Sequence, residues 1–171
     1  MSSPTSVHIR GEARRMIQDF ELPGTDGGEI TTYRLSEYTD RGAVVLVFYP
    51  FDFSPICTEV LCDFRDAQWL SLTDGIDVFG ISRDSCYAHK RFAEEYGIPF
   101  PLLSDTQGEV VEQFDLIYDE WENHKGVPKR ALITIDDEHK IRYKWETDDA
   151  YDSPSPDELH DTIRSLTNGG E

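Results

Sequence analysis

The chain has 171 residues, 38% of them hydrophobic and 12% aromatic, enough apolar material for one domain with a real core. Asp and Glu number 34 against 16 Lys and Arg, a formal net charge of −18, which excludes the basic surface that nucleic acid or an anionic membrane requires. No stretch approaches the roughly 20 apolar residues of a membrane span. The opening residues, MSSPTSVHIRGEARRM, carry no apolar signal-peptide core, so the cytoplasm is the expected compartment. The acidic balance reads either as high solubility or, more sharply, as halophilic adaptation, in which salt screens the self-repulsion. Three cysteines, Cys57, Cys62 and Cys86, are too few and too odd in number for a disulfide framework.

Residues 1–14 carry little periodicity and read as a loosely ordered lead-in to a single domain. Asp19 to Leu22 alternates and suits a short strand. Pro23 to Gly28 is turn chemistry, and Glu29 to Tyr33 is the returning arm of a hairpin. Leu35 to Tyr38 is one helical turn. Val44 to Tyr49 (VVLVFY) is a continuous apolar strand of the kind buried on both faces. Cys57 to Leu72 has helical spacing, stopped by Asp74-Gly75. Ile76 to Ser82 is a second apolar strand. Ser85 is the N-cap of a helix that ends at Gly97. Phe100 to Ser104 is extended, and Gly108 to Phe114 is helical. Gly126 to Lys129 reads as a loop, Ala131 to Ile135 as a third buried strand, and Lys140 to Trp145 as its antiparallel partner. A last amphipathic helix starts at Asp157, and Trp69, Trp121 and Trp145 read as core or interface residues. This order predicts an α/β fold with a central mixed β-sheet flanked by helices.

Chemistry concentrates between Val44 and Asp66. A buried strand ends at Pro50, a short loop follows, and Cys57 opens a helical pattern. The unpaired N–H groups and dipole of a helix N-terminus favour a negative sulfur, and the thiolate is the nucleophilic form. Cys57, Cys62, Cys86 and His89 are spaced too loosely for a metal-ligand pattern.

Pro50-Phe51-Asp52-Phe53-Ser54-Pro55-Ile56-Cys57 resembles the peroxiredoxin active-site motif, Pro-x-x-x-Thr/Ser-x-x-Cys. The strand before it, GIDVFGISRDSCYAHKRFAEEYGIPFPLLSD in the middle and GVPKRALITID downstream are similar to peroxiredoxins of the alkyl hydroperoxide reductase C / thiol-specific antioxidant type. The resemblance spans roughly residues 15–166. It implies a thioredoxin-like fold and a thiol-dependent peroxidase acting on hydrogen peroxide or organic hydroperoxides. It implies Cys57 as the peroxidatic cysteine, Pro50 and Ser54 as the residues shaping its pocket, and Arg130 as the active-site arginine. No metal or other cofactor is implied. The partners implied are a hydroperoxide, a thioredoxin-like or other thiol reductant, and a second copy of the chain in a homodimer or higher homo-oligomer.

Cys62 follows Cys57 by five residues, a C-x4-C arrangement similar to the bacterioferritin comigratory protein subgroup, in which the second cysteine resolves the sulfenic acid as a disulfide. On an intact helix the two Cα atoms stand about 8.6 Å apart, whereas a disulfide needs less than about 7 Å. Resolution by Cys62 therefore requires local unwinding. Packing on the helix face is the other reading of Cys62. The family's usual Glu three residues after the reactive cysteine is Val60 here, and KIRYKWETDD is similar to a one-cysteine branch. A peroxide sensor or redox-regulated holdase on the same fold is the alternative function. A thiol–disulfide oxidoreductase is another, against which the absence of C-x-x-C counts.

Overall fold

The structure, a computed structural model, describes residues 6–8, 15–67, 70, 73–154, 157, 159–160 and 164. Strands β1 (Ser6–His8), β2 (Glu21–Thr25) and β3 (Ile30–Arg34) are followed by helix α1 (Leu35–Thr39), β4 (Ala43–Phe48) and α2 (Pro55–Asp66). Then come β5 (Ile76–Ser82), α3 (Cys86–Tyr96), β6 (Leu102–Ser104) and α4 (Glu109–Gln113). Strands β7 (Ile117–Trp121), β8 (His124–Pro128), β9 (Ala131–Ile135) and β10 (Ile141–Thr147) complete the order. Eight strands form one mixed sheet in the order β1-β10-β9-β4-β5-β6-β2-β3, while β7 and β8 form a separate hairpin. Strands β4, β5 and β6 run parallel, and β9 returns antiparallel against β4.

The apolar run of β4 is explained by its central place. All six of its residues are buried. Val44, Leu46 and Phe48 enter one core cluster, and Val45 and Val47 enter the other, with Tyr49 following on the second face. Alternate side chains of a strand point to opposite faces, so a strand covered on both sides has no polar position. Helix α2 covers the second face with Val60, Leu61 and Phe64, each contributing roughly 1.5–3 kcal/mol by burial. Gly80 of β5 permits this close packing. A Cβ there would meet the Leu102 side chain at 2.7 Å and the Tyr49 ring at 3.3 Å.

Three local expectations are corrected. Helix α2 begins at Pro55, not Cys57, because proline's fixed φ suits the first helical position. It ends at Asp66, where Ala67 turns extended; the expected continuation falls partly on residues 68–69 and 71–72, including Trp69, which lie outside the described residues. The expected loop at Gly126–Lys129 is mostly strand β8. Its partner β7 precedes a two-residue turn in which Glu122 (φ 49°) and Asn123 (φ 66°) are both left-handed, as a type I′ hairpin requires. The turn contains no glycine, the residue that usually marks it. The lead-in contributes β1, which pairs with the otherwise open edge of β10; the rest of 1–14 lies outside the described residues. Of the helix expected from Asp157, residues 157, 159, 160 and 164 are helical, and Leu159 is buried in the second cluster; the remainder lies outside the described residues. No described helix is long and apolar enough to cross a membrane.

Candidate active site

The site lies at the C-terminal end of β4. After Phe48 the chain passes through Tyr49 and Pro50 into the loop that leads to α2. Ser54 is the N-cap in extended conformation (φ −71°, ψ 147°), with Pro55 at the first helical position. The first helical hydrogen bond is donated by Thr58 N–H to the Ser54 carbonyl at 2.9 Å. The Ile56 and Cys57 amides therefore precede the helical ladder and direct partial positive charge at the first turn. Cys57 is fully buried and free.

Arg130 arrives through sheet register. Ala131, the first residue of β9, is paired with Phe48, the last of β4. That pairing sets Arg130 beside the Tyr49–Pro50 corner, 73 residues from Cys57 in sequence. Its Nη2 donates to Cys57 Sγ at 3.2 Å and its Nε to the Ala150 carbonyl at 2.9 Å. The side chain is buried, and Nη1 has no hydrogen-bond partner among the described residues. Above this pair opens a cavity of about 230 Å³ whose lining includes Pro50, Ser54, Arg130, Phe51, Trp121 and Tyr151. The Ser54 hydroxyl donates to the Phe51 carbonyl at 3.2 Å. Tyr118, buried behind the Trp121 ring at 5.4 Å between centroids, donates its hydroxyl to the Thr147 carbonyl; burial pushes its pKa up to about 12.

A buried sulfur in the first turn of a helix, an arginine bonded to it and a small cavity lined by that arginine form one constellation. The chain matches the AhpC/TSA family over residues 13–144. The chain belongs to that family. It is 40% identical over 130 residues to the "Putative peroxiredoxin bcp" of Coxiella burnetii, covering 74% of this chain and 82% of that one. It is 36% identical over 140 residues to the "Peroxiredoxin Bcp" of Bacillus subtilis, covering 78% and 84%. The crystal structure of Peroxidoxin BcpB from Mycobacterium tuberculosis superposes with a TM-score of 0.78 at 32% identity over 91% of this chain and 97% of that one. The protein is thus a peroxiredoxin of the Bcp subgroup with the thioredoxin-like fold, and a thiol-dependent peroxidase.

The structure brings Cys57, Arg130, Pro50 and Ser54 of this peroxiredoxin together, as the motif implies. Cys62 lies on the same unbroken helix, half-buried, five residues from Cys57. Burial raises its pKa above the ordinary thiol value, against the opposing Arg65 charge. Cys86 opens α3 and contacts the Ser104 hydroxyl at 3.2 Å.

Sequence reasoning missed a buried polar network beneath the loop. His89 Nε2 faces the Leu103 carbonyl at 2.9 Å, and Nδ1 faces Asp52 Oδ2 at 2.7 Å. A carbonyl only accepts, so Nε2 carries a proton, and a second proton is shared between Nδ1 and Asp52. The Tyr49 hydroxyl donates to Asp52 Oδ1 at 2.6 Å, and Asp52 N–H donates to Asp84 at 2.8 Å. This network ties the active-site loop to β4, β5 and α3. Its sequence signal was Asp52 inside the motif and His89 on an otherwise apolar helix face. Missed as well was the β7–β8 hairpin, which brings Trp121 and Glu122 to the cavity.

Proposed function

We propose that Cys57 is the peroxidatic nucleophile and that Arg130 both stabilises its thiolate and holds the peroxide. The observation that carries this reading is the division of one guanidinium: Nη2 on the sulfur and Nη1 buried without a partner among the described residues. A buried donor left unpaired costs free energy. A peroxide oxygen placed beside the sulfur satisfies it. The thiolate sulfur attacks the terminal oxygen of ROOH. An S–O bond forms, the O–O bond breaks, and RO⁻ leaves and takes up a proton to give ROH. Two electrons pass from sulfur to the peroxide, leaving Cys57 as a sulfenic acid. Pro50 and Ser54 shape the approach, the Ser54 hydroxyl being able to donate and accept.

Resolution by Cys62 follows local unwinding of α2, giving a Cys57–Cys62 disulfide. A thioredoxin-like dithiol protein then reduces it. The peroxidase works without a metal or other cofactor, as a single domain, in a salt-rich cytoplasm, and self-associates as a dimer or larger oligomer. Replacement of Cys57 by Ser tests the central role: peroxide consumption falls to the uncatalysed rate, and retained turnover refutes it. Peptide mapping of the oxidised protein under non-reducing conditions tests the resolving step by showing which cysteine is bonded to Cys57.

A further inference from the structure

The peroxidase reading leaves open which hydroperoxides the cavity accepts, and the inference that follows rests on that reading. Three aromatic rings dominate the walls of the cavity. Phe51, Trp121 and Tyr151 line it. Trp121 and Tyr151 contact each other with ring centroids 5.0 Å apart, and Phe51 lies 4.6 Å from the His124 ring of the same hairpin. The hairpin is braced from below. Arg83 Nη1 donates to the Gly126 carbonyl at 2.9 Å and Nη2 to Thr106 O at 3.1 Å. These bonds tie the hairpin side of the wall to the loops that follow β5 and β6.

Size and charge narrow the occupant. The cavity, of about 230 Å³, receives one aromatic ring against this wall, and its rim at Glu122 and Tyr151 is open to solvent. Glu122 lines the same cavity and is exposed. The Tyr151 hydroxyl donates to its Oε2 at 2.7 Å, which pins the carboxylate at the rim. Among the described lining residues Arg130 is the one cation; it is occupied on one side by the sulfur and offers Nη1 for a peroxide oxygen. An anionic substrate meets Glu122 and an overall charge of −18, with no second cation among the described lining residues to receive it.

We propose that the β7–β8 hairpin and Tyr151 form a specificity wall that selects small uncharged aryl hydroperoxides, with Phe51, Trp121 and Tyr151 binding the ring and Glu122 turning away carboxylate-bearing ones. The peroxide group points to Arg130 and Cys57. Ring–ring contacts inside a cavity this small discriminate between an aryl hydroperoxide and hydrogen peroxide, which has no ring to place.

The test compares kcat/KM for hydrogen peroxide, cumene hydroperoxide and its para-carboxylate analogue. The wild-type protein prefers cumene hydroperoxide to the carboxylate analogue by about tenfold or more at low salt, and the gap narrows as salt rises. Glu122→Gln closes most of that gap. Trp121→Ala lowers the ratio of cumene hydroperoxide to hydrogen peroxide by about tenfold, and Tyr151→Ser, at an exposed position, lowers the same ratio if the tryptophan variant does not fold. Equal use of the two aryl substrates by the wild type, or ratios that none of the variants moves, overturns the wall while leaving Cys57 peroxidase activity standing. Absence of Cys57-dependent turnover of all three substrates overturns the peroxidase reading, and the wall with it.

Discussion

Arg130 donates to the Cys57 sulfur at 3.2 Å from one nitrogen while the neighbouring nitrogen of the same guanidinium is buried with no partner among the described residues. The planar fork sets both donors on one side, so a substrate oxygen bound at Nη1 lies next to the sulfur by geometry alone. Lysine cannot reproduce this, because its donors radiate from a single point.

Arg130→Ala is expected to slow the reaction of Cys57 with peroxide by about 10²–10³-fold, the scale for losing one preorganised donor at a developing oxyanion. Arg130→Lys restores little of the rate, because an ammonium does not reproduce the planar fork. Stopped-flow kinetics measures both variants, and an unchanged rate in the alanine variant refutes the role.

Cys62 is held as a thiol in the folded helix, since burial raises its pKa. The sign follows: a raised folded-state value gives stability that is present below the ordinary thiol pKa and lost as pH rises through the folded one. Alkaline pH therefore ionises Cys62 and removes that contribution to stability. The rate of disulfide formation after oxidation is expected to rise with pH above the ordinary thiol range of about 8.5. In Cys62→Ser the sulfenic acid persists and is trapped by dimedone. A pH-independent step, or the same disulfide in the variant, removes Cys62 from the cycle.

Much of this was legible because strong local signals agreed with tertiary position. The apolar run at Val44–Phe48 marks a doubly covered strand, Ser85 caps α3 by accepting from Ala88 N–H, and Gly97 closes it with a left-handed φ of 63°. Cys57 and Arg130 were legible through a motif, but their contact depends on the Phe48–Ala131 register, which no local pattern encodes. The hairpin from Ile117 to Pro128 was not legible. Its strands are polar and half-exposed, with Asp119, Glu120, His124 and Lys125 where an alternating apolar face would announce a strand. The His89 network was hidden for a related reason: a histidine on a helix shows its meaning only when the carboxylate from another element arrives.

Asp52 and His89 have side chains 1% and 0% exposed. Breaking a buried pair leaves one uncompensated partner, at a cost of about 3–5 kcal/mol. His89→Leu and Asp52→Leu are each expected to lose that much stability in urea melts, and the double variant less than the sum. Additive losses show that the two are not coupled. Asp52→Leu also slows peroxide reduction, because the Asp52 carboxylate, bonded to the Tyr49 hydroxyl and to His89, holds the loop that carries Pro50 and Ser54.

Asp84 supplies a pH signature of the same network. Burial, reinforced by the neighbouring Asp52 charge, raises its pKa above the ordinary carboxylate value, while hydrogen bonds from the Ser82 hydroxyl and Asp52 N–H and the His89 charge oppose the shift. A raised folded-state value means that the folded protein keeps a proton there which the unfolded chain has released. Its stabilising contribution is complete below about 3.9, the unfolded value, and is lost as pH rises through the folded one. The other carboxylates and the net charge of −18 add their own pH dependence, so the difference between two proteins isolates this group. Asp84→Asn keeps an acceptor for Ser82 and Asp52 N–H and cannot ionise. The melting temperature of wild type minus that of Asp84→Asn is expected to fall as pH rises from 4 to 7, measured by calorimetry at constant salt. A flat difference refutes the shift, and a rising one reverses its sign.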